Sequence, residues 1–177
     1  MFLIRLAKDG DCLALLSLVN RAYRPGENLA GWTHESEWID GDRISLEALT
    51  ALVNREEVIV ATHAGEPGKL LGCIHVSIVN EVVSLGMLAV EPSSQTLGVG
   101  KWLMAKAEQM AGAKGCKLAR IEVVDKRTSL RGYYQRQGYC ETGQNFNYPV
   151  NLGVGSPKKP NTVYLVEMSK TLAEQAL

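Results

Sequence analysis

The feature that most restricts this chain is Gln95-Thr96-Leu97-Gly98-Val99-Gly100-Lys101, a glycine-rich turn between an apolar β-type run ending at Val90 and a stretch with helical periodicity. In that stretch Leu103, Ala107, Met110 and Ala111 share one face, with Lys101, Lys106 and Glu108 elsewhere. Strand, glycine turn and helix in succession leave the first amides of the helix without intrahelical partners and aimed at an anion, and the helix dipole adds to the attraction. Glycine lets the backbone come close to phosphate oxygens. Spacing excludes two familiar phosphate loops. A P-loop needs glycine where Gln95 stands and Ser or Thr where Trp102 stands, and a dinucleotide fingerprint needs glycine where Leu103 stands.

The rest of the chain supplies an α+β, mixed α/β frame for this turn. Phe2 to Leu6 reads as a strand, and Leu13, Leu15, Leu16, Leu18, Val19 and Ala22 as a helix running to about Tyr23, before Pro25-Gly26. Glu27 to Asp42 is aromatic, acidic and weakly periodic, so a loop is expected, followed by a helix from Ser45 to about Asn54. Glu57–His63, Leu70–Val79 and Val82–Val90 read as strands joined by Gly65-Glu66-Pro67-Gly68 and Asn80-Glu81, hence antiparallel. After the glycine-turn helix, closed by Gly112 and Gly115, come a strand (Leu118–Val124), a helix (Thr128–Arg136), a strand (Tyr139 to about Tyr148), a loop (Pro149–Asn161) and a strand (Thr162–Met168). The order is β-α-α-β-β-β-α-β-α-β-β.

Composition removes several classes of function. With 19 Lys plus Arg against 19 Asp plus Glu, the net charge is zero, and no charge excess is available for nucleic acid or an acidic membrane surface. Cys12, Cys73, Cys116 and Cys140 form no CxxC pair, so no zinc or redox motif is expected, and no metal. Reduced thiols, the absence of a long apolar run and a start without a basic, apolar leader lead to the expectation of a cytoplasmic protein. The 177 residues suit one domain, 1–177.

The run from Leu85 to Met104, Leu-Gly-Met-Leu-Ala-Val-Glu-Pro-Ser-Ser-Gln-Thr-Leu-Gly-Val-Gly-Lys-Trp-Leu-Met, resembles the acetyl-CoA-binding motif of the GCN5-related N-acetyltransferase (GNAT) superfamily. Tyr133-Tyr134-Gln-Arg-Gln-Gly138-Tyr139 is similar to the family's Phe-Tyr-x-x-x-Gly-Phe segment, and the resemblance extends from about Phe2 to Lys170. It implies the GNAT-like acyl-CoA N-acyltransferase fold, a central mixed, mostly antiparallel sheet with helices on both faces. It also implies acetyl-CoA as acyl donor. Leu88 and Val90, with Ala89 between them, would pair with the pantetheine arm, because the family's fourth and fifth strands splay apart. Amides from Gln95, Thr96 and Leu97 through Gly98, Val99, Gly100 and Lys101 would hold the pyrophosphate. Tyr134 aligns with the tyrosine that protonates the departing CoA thiolate, and Tyr133 is expected in the core.

Two departures from the family pattern matter. Seven residues before that tyrosine many members carry Asn, where this chain has Arg127; its contact is lost, replaced by guanidinium binding of a phosphate or ribose, or served by Asp125. Leu85-Gly86-Met87 also lacks the carboxylate base that many members place there. Glu35, Asp40, Glu81, Glu122 or a water chain are the candidates, Glu35 and Glu81 leading and Glu122 read rather as a structural sheet residue. His75 reads as a satisfied sheet histidine, and His34 alone falls in the presumed substrate loop. Trp32, Glu35 and Trp38, with Asp40 and Asp42, would form an aromatic, acidic acceptor wall suited to a cationic amine, opposite the Pro149–Asn161 loop.

The expected activity is acetyl transfer from acetyl-CoA to a primary amine, on a small molecule or a peptide, by direct attack in a ternary complex. The alternative is a catalytically silent acyl-CoA sensor or interaction module on the same fold. Dimers are common in the superfamily, so a homodimer is among the assemblies it allows.

Overall fold

The computed structural model describes residues 2–25 and 34–173. The chain runs β1 (Phe2–Leu6), α1 (Cys12–Tyr23), β2 (Ile39–Asp40), α2 (Leu46–Asn54), β3 (Val58–His63), β4 (Glu66–Val79), β5 (Val82–Val90), α3 (Val99–Ala113), β6 (Leu118–Val124), α4 (Thr128–Arg136), β7 (Cys140–Asn147), β8 (Ser156–Pro157) and β9 (Tyr164–Thr171). Seven strands form one mixed sheet in the order β1-β3-β4-β5-β6-β9-β7. All neighbours are antiparallel except β5 and β6, which α3 joins by a crossover.

Alternation along the strands divides the core between the two faces. In β3, Val58 and Val60 pack with Leu15, Leu18 and Val19 of α1 and Leu49 and Val53 of α2. Ile59 and Ala61 point the other way, to Val99, Leu103 and Ala107 of α3 and to Leu130 and Tyr134 of α4. Side chains at i, i+3 and i+4 make each helix bury one stripe, and Ser45 caps α2 by accepting from the Ala48 amide at 3.2 Å.

One irregularity decides where the site lies. Cys73 pairs with Ala89 but His75 pairs with Gly86, so β5 carries one residue more than β4 across this step. The bulge centres on Met87, a non-glycine residue at φ 48°. An inserted residue exchanges the faces of everything that follows. Before it Val83 and Leu85 face α3 and α4; after it Met87 and Ala89 face α1 and α2. Leu88 and Val90 are thereby turned toward α3 and α4.

The second consequence is a split in the sheet. β5 and β6 pair only from Val82 with Leu118 to Leu85 with Ile121. Beyond Leu85 the two strands have no common ladder, and the backbone of Leu88 and Val90 faces a gap.

Differences from the expected elements are local. β4 begins at Glu66 rather than Leu70, and β9 extends to Thr171. The segments before α2 and after β7 meet in a short ladder, Ile39 with Pro157 and Asp40 with Ser156, which neither segment's composition announces. β7 is an edge strand exposed along its whole length. Among the described residues no helix is long and apolar enough to cross a membrane.

Candidate active site

β5 delivers the chain into a 3-10 turn, Pro92–Leu97, then Gly98 at φ 76° and ψ 10°, from which α3 starts. The left-handed conformation at Gly98 is the one that a side chain disfavours, while the space around its Cα is open. The Trp102 amide is the first to bond back to the turn, to the Gly98 carbonyl at 3.1 Å. By helix geometry the amides of Val99, Gly100 and Lys101 precede any intrahelical partner. Beside them lies a cavity of about 240 Å³.

Leu88, Val90, Gln95, Thr96, Gly98, Gly100, Lys101 and Arg127, all expected at the cofactor site, line this cavity. Of the other three, Ala89 and Val99 are buried in the core and Leu97 projects into solvent, 58% exposed, and none of them is in the lining. Tyr133, expected in the core, is half-buried and lines the cavity, its hydroxyl 3.6 Å from where a Gly100 Cβ would stand.

A second cavity, about 370 Å³, opens on the other side of the split. The two share Tyr23, Leu88, Arg127, Leu130 and Tyr134, so they meet where β5 and β6 part. Pro149, Leu152 and Val154 close it from the loop after β7.

At this junction Tyr134 is buried, its ring edge-on to Tyr133 at 5.4 Å and to Tyr139 at 6.0 Å. Burial raises its phenol above the ordinary tyrosine value, with the nearby Arg127 charge opposing. The hydroxyl therefore stays protonated through neutral pH. Tyr23, at the end of α1, donates from its hydroxyl to the Leu88 carbonyl at 3.2 Å, and Gln95 Nε2 reaches the Val90 carbonyl at 3.5 Å. Side chains thus serve two carbonyls of β5 that no strand partners.

The acidic candidates separate clearly. Glu35 is 5% exposed, with Oε2 2.9 Å from Arg24 Nη1 and Oε1 2.9 Å from Arg127 Nη1. Both oxygens are committed to guanidinium groups, which suits a structural clamp better than a proton acceptor. Arg127 stands where the cavities meet, its Nη1 held by Glu35. Asp125 accepts from the Tyr164 amide at 3.0 Å instead.

Glu81 sits in the turn at the opposite end of β5, exposed and 2.8 Å from Lys117 Nζ. Seven residue steps of strand, ~23 Å at about 3.3 Å each, separate it from Leu88. Asp40 pairs with Lys158 at 3.6 Å and Asp42 is exposed, and neither lines the cavity. Glu122 does line it, on β6 just past the last β5 partner. Desolvation, then the Glu167 carboxylate, raises its pKa above the ordinary carboxylate value, against Arg120.

Of the residues expected in an aromatic, acidic acceptor wall, Glu35 lines the larger cavity and Trp38 does not. Trp38 packs with Ile39, Val124, Tyr148 and Val163, and His34 is away from the lining; Trp32 lies outside the described residues. Arg43, Arg120 and Arg127 face Glu35 and Glu122 instead. His75 also lines the cavity, its Nε2 3.3 Å from Glu57 Oε2, and burial lowers its pKa. Among the described residues no group of three His, Cys, Asp or Glu side chains could hold a metal.

Sequence reading missed Tyr23, Arg24 and Arg43. Their only local signal was position, at the end of α1 and just before α2, and their partners lie far along the chain.

Relatives in structure cover nearly the whole chain. The ribosomal-protein-S18-alanine N-acetyltransferase of Escherichia coli superposes with a TM-score of 0.69 at 16% identity, over 99% of this chain and 97% of that one. The PaiA N-acetyltransferase of Thermoplasma acidophilum, solved with coenzyme A, gives 0.69 at 17% identity, over 97% and 99%. Ard1 of Thermoplasma volcanium gives 0.70 at 17% identity, over 98% and 99%. Comparison with curated proteins yields no match. The model of the acetyltransferase (GNAT) family matches residues 13–139, across the glycine turn, the split strands and the tyrosine segment, and the chain belongs to that family.

Proposed function

We propose that this chain, as one domain over residues 1–177, transfers the acetyl group of acetyl-CoA to a primary amine by direct attack in a ternary complex, in the cytoplasm. One observation carries the reading: two cavities, one beside the free amides of α3 and one lined by a carboxylate, meet at the Tyr134 side chain. The residues fit the donor. Amides at the α3 N-terminus suit a pyrophosphate, and the unpaired edge at Leu88 and Val90 suits an extended amide-bearing arm. When bound, acetyl-CoA supplies an activated acyl carbon with a thiolate leaving group.

Glu122 takes a proton from the acceptor ammonium, which frees the nitrogen lone pair to attack the thioester carbon. A carboxylate with a raised pKa is better matched to that task than an ordinary one. As the carbon–sulfur bond breaks, Tyr134 gives its phenolic proton to sulfur and recovers one from solvent. Arg127, held by Glu35, places a positive charge near the phenol and so favours its loss of that proton. Tyr23 fixes the bulged strand by its bond to Leu88.

Thiol release from acetyl-CoA with a panel of amines tests this, alongside calorimetry with CoA, ATP and NAD. The expected result is CoA binding with amine-dependent thiol release. Tight CoA binding without release for any amine would point to a silent acyl-CoA sensor, and preference for ATP or NAD would reject the cofactor assignment.

A further inference from the structure

Among the described residues, one guanidinium lining the larger cavity stands without a carboxylate partner. Arg43 precedes α2 and is half-buried, its backbone held by Asn20 of α1, whose Oδ1 accepts from the Arg43 amide at 2.8 Å and the Ile44 amide at 3.2 Å. Its guanidinium carbon lies over the Tyr23 ring, 5.2 Å from the centroid, and the side chain lines the larger cavity. Among the described residues it has no hydrogen-bond or ion-pair partner. Of the other cavity arginines, Arg127 is hydrogen-bonded to Glu35 at 2.9 Å, and Arg120 is ion-paired with Glu167 at 3.3 Å through an Nε that makes no hydrogen bond. Glu35 in turn is matched by two guanidinium groups, so it leaves no negative charge for Arg43 to answer.

We propose, building on the acetyltransferase reading above, that the acceptor is an amine that also carries an anionic group, and that Arg43 binds that group while the nitrogen lies toward Glu122. Tyr23 sets the spacing. Its face carries Arg43, and its hydroxyl bonds to Leu88 at the junction of the two cavities. A guanidinium fork matches a carboxylate or phosphate with two parallel hydrogen bonds, which a rigid, stacked arginine offers with little loss of freedom. A polyamine finds less: beyond Glu122, the Asp, Glu, Lys and Arg side chains of the described wall are three arginines and a carboxylate already paired twice.

The test compares kcat/KM for matched acceptors: L-alanine, L-alaninamide and ethylamine; glycylglycine and glycylglycinamide; and O-phosphoethanolamine. Wild type is expected to prefer an anionic member of the panel over its neutral counterparts by about 10- to 100-fold, the worth of a charge-assisted bond. The carboxylate and phosphate probes separate the two sources of anion. Arg43→Met should remove the preference and Arg43→Lys should keep part of it, with circular dichroism and CoA titration to show that each variant folds. Equal turnover of acids and amides by wild type, or a preference that survives Arg43→Met, overturns the proposal and leaves the acetyltransferase reading standing. If no amine is turned over, that reading fails and calorimetry of the same probes against CoA-loaded protein still decides. Binding of the anionic probes to wild type and not to Arg43→Met supports Arg43 as their site, and no binding refutes it.

Discussion

Arg127 Nη1 lies 2.9 Å from Glu35 Oε1, and Arg24 Nη1 lies 2.9 Å from Glu35 Oε2, with all three side chains at most 9% exposed. This buried triad ties the end of α1 to the start of α4, and Arg24 Nη2 extends it to the Val154 carbonyl at 3.2 Å. Removing the central carboxylate leaves two buried cations without their counter-ion, so Glu35→Ala should cost ~3–5 kcal/mol. Urea denaturation followed by circular dichroism measures it. A loss below about 1 kcal/mol, the range of a surface pair, would mean that the triad contributes little.

Tyr134→Phe should lower kcat by about 10²-fold, in line with the usual contribution of a general acid, with much less effect on the KM for acetyl-CoA. Because burial raises the phenol pKa, the wild-type hydroxyl keeps its proton beyond pH 10, and its ionisation should produce no alkaline fall in rate below that. Steady-state kinetics across pH check both points. An unchanged kcat would assign Tyr134 to packing alone.

Glu122 must be ionised to accept a proton. Its raised pKa shifts the acid limb of the rate profile upward from the ordinary carboxylate position, with activity gained as pH rises through that value. Glu122→Gln should remove this limb and reduce kcat by about 10²-fold. A variant that retains the same limb would place the base elsewhere.

Gly98 combines a left-handed backbone with open space at its Cα. Gly98→Ala should therefore lose stability through backbone strain alone, ~1 kcal/mol. Gly98→Trp should in addition abolish CoA binding, since the open space beside it is the cavity at the helix N-terminus. Calorimetry with CoA distinguishes the two effects. Unchanged affinity in Gly98→Trp would move the pyrophosphate away from this turn.

Local patterns were legible in the residues. The helical stripes of α1 and α3, the strand runs and the Gly98 turn each involve contacts within a few positions, so periodicity and turn chemistry suffice to place them. The Met87 bulge is different. Leu85-Gly86-Met87-Leu88 fits uninterrupted alternation equally well, and only pairing with Cys73 and His75 shows the extra residue that turns Leu88 and Val90 to the other face.

Charge was the least legible property. Glu35, Glu81 and Glu122 are alike as letters, and what distinguishes them is long-range: two arginines 11 and 92 positions from Glu35, a lysine beside Glu81 at the far end of β5, and a gap in the sheet beside Glu122. The sequence by itself determined the family resemblance, the order of elements and the turn beside the cofactor-side cavity, because those depend on neighbours in the chain. Among the described residues, tertiary structure alone decided which carboxylate of the larger cavity is paired with arginines and which arginine there has no ion-pair partner, because the partners that neutralise a charge arrive from elsewhere in the fold.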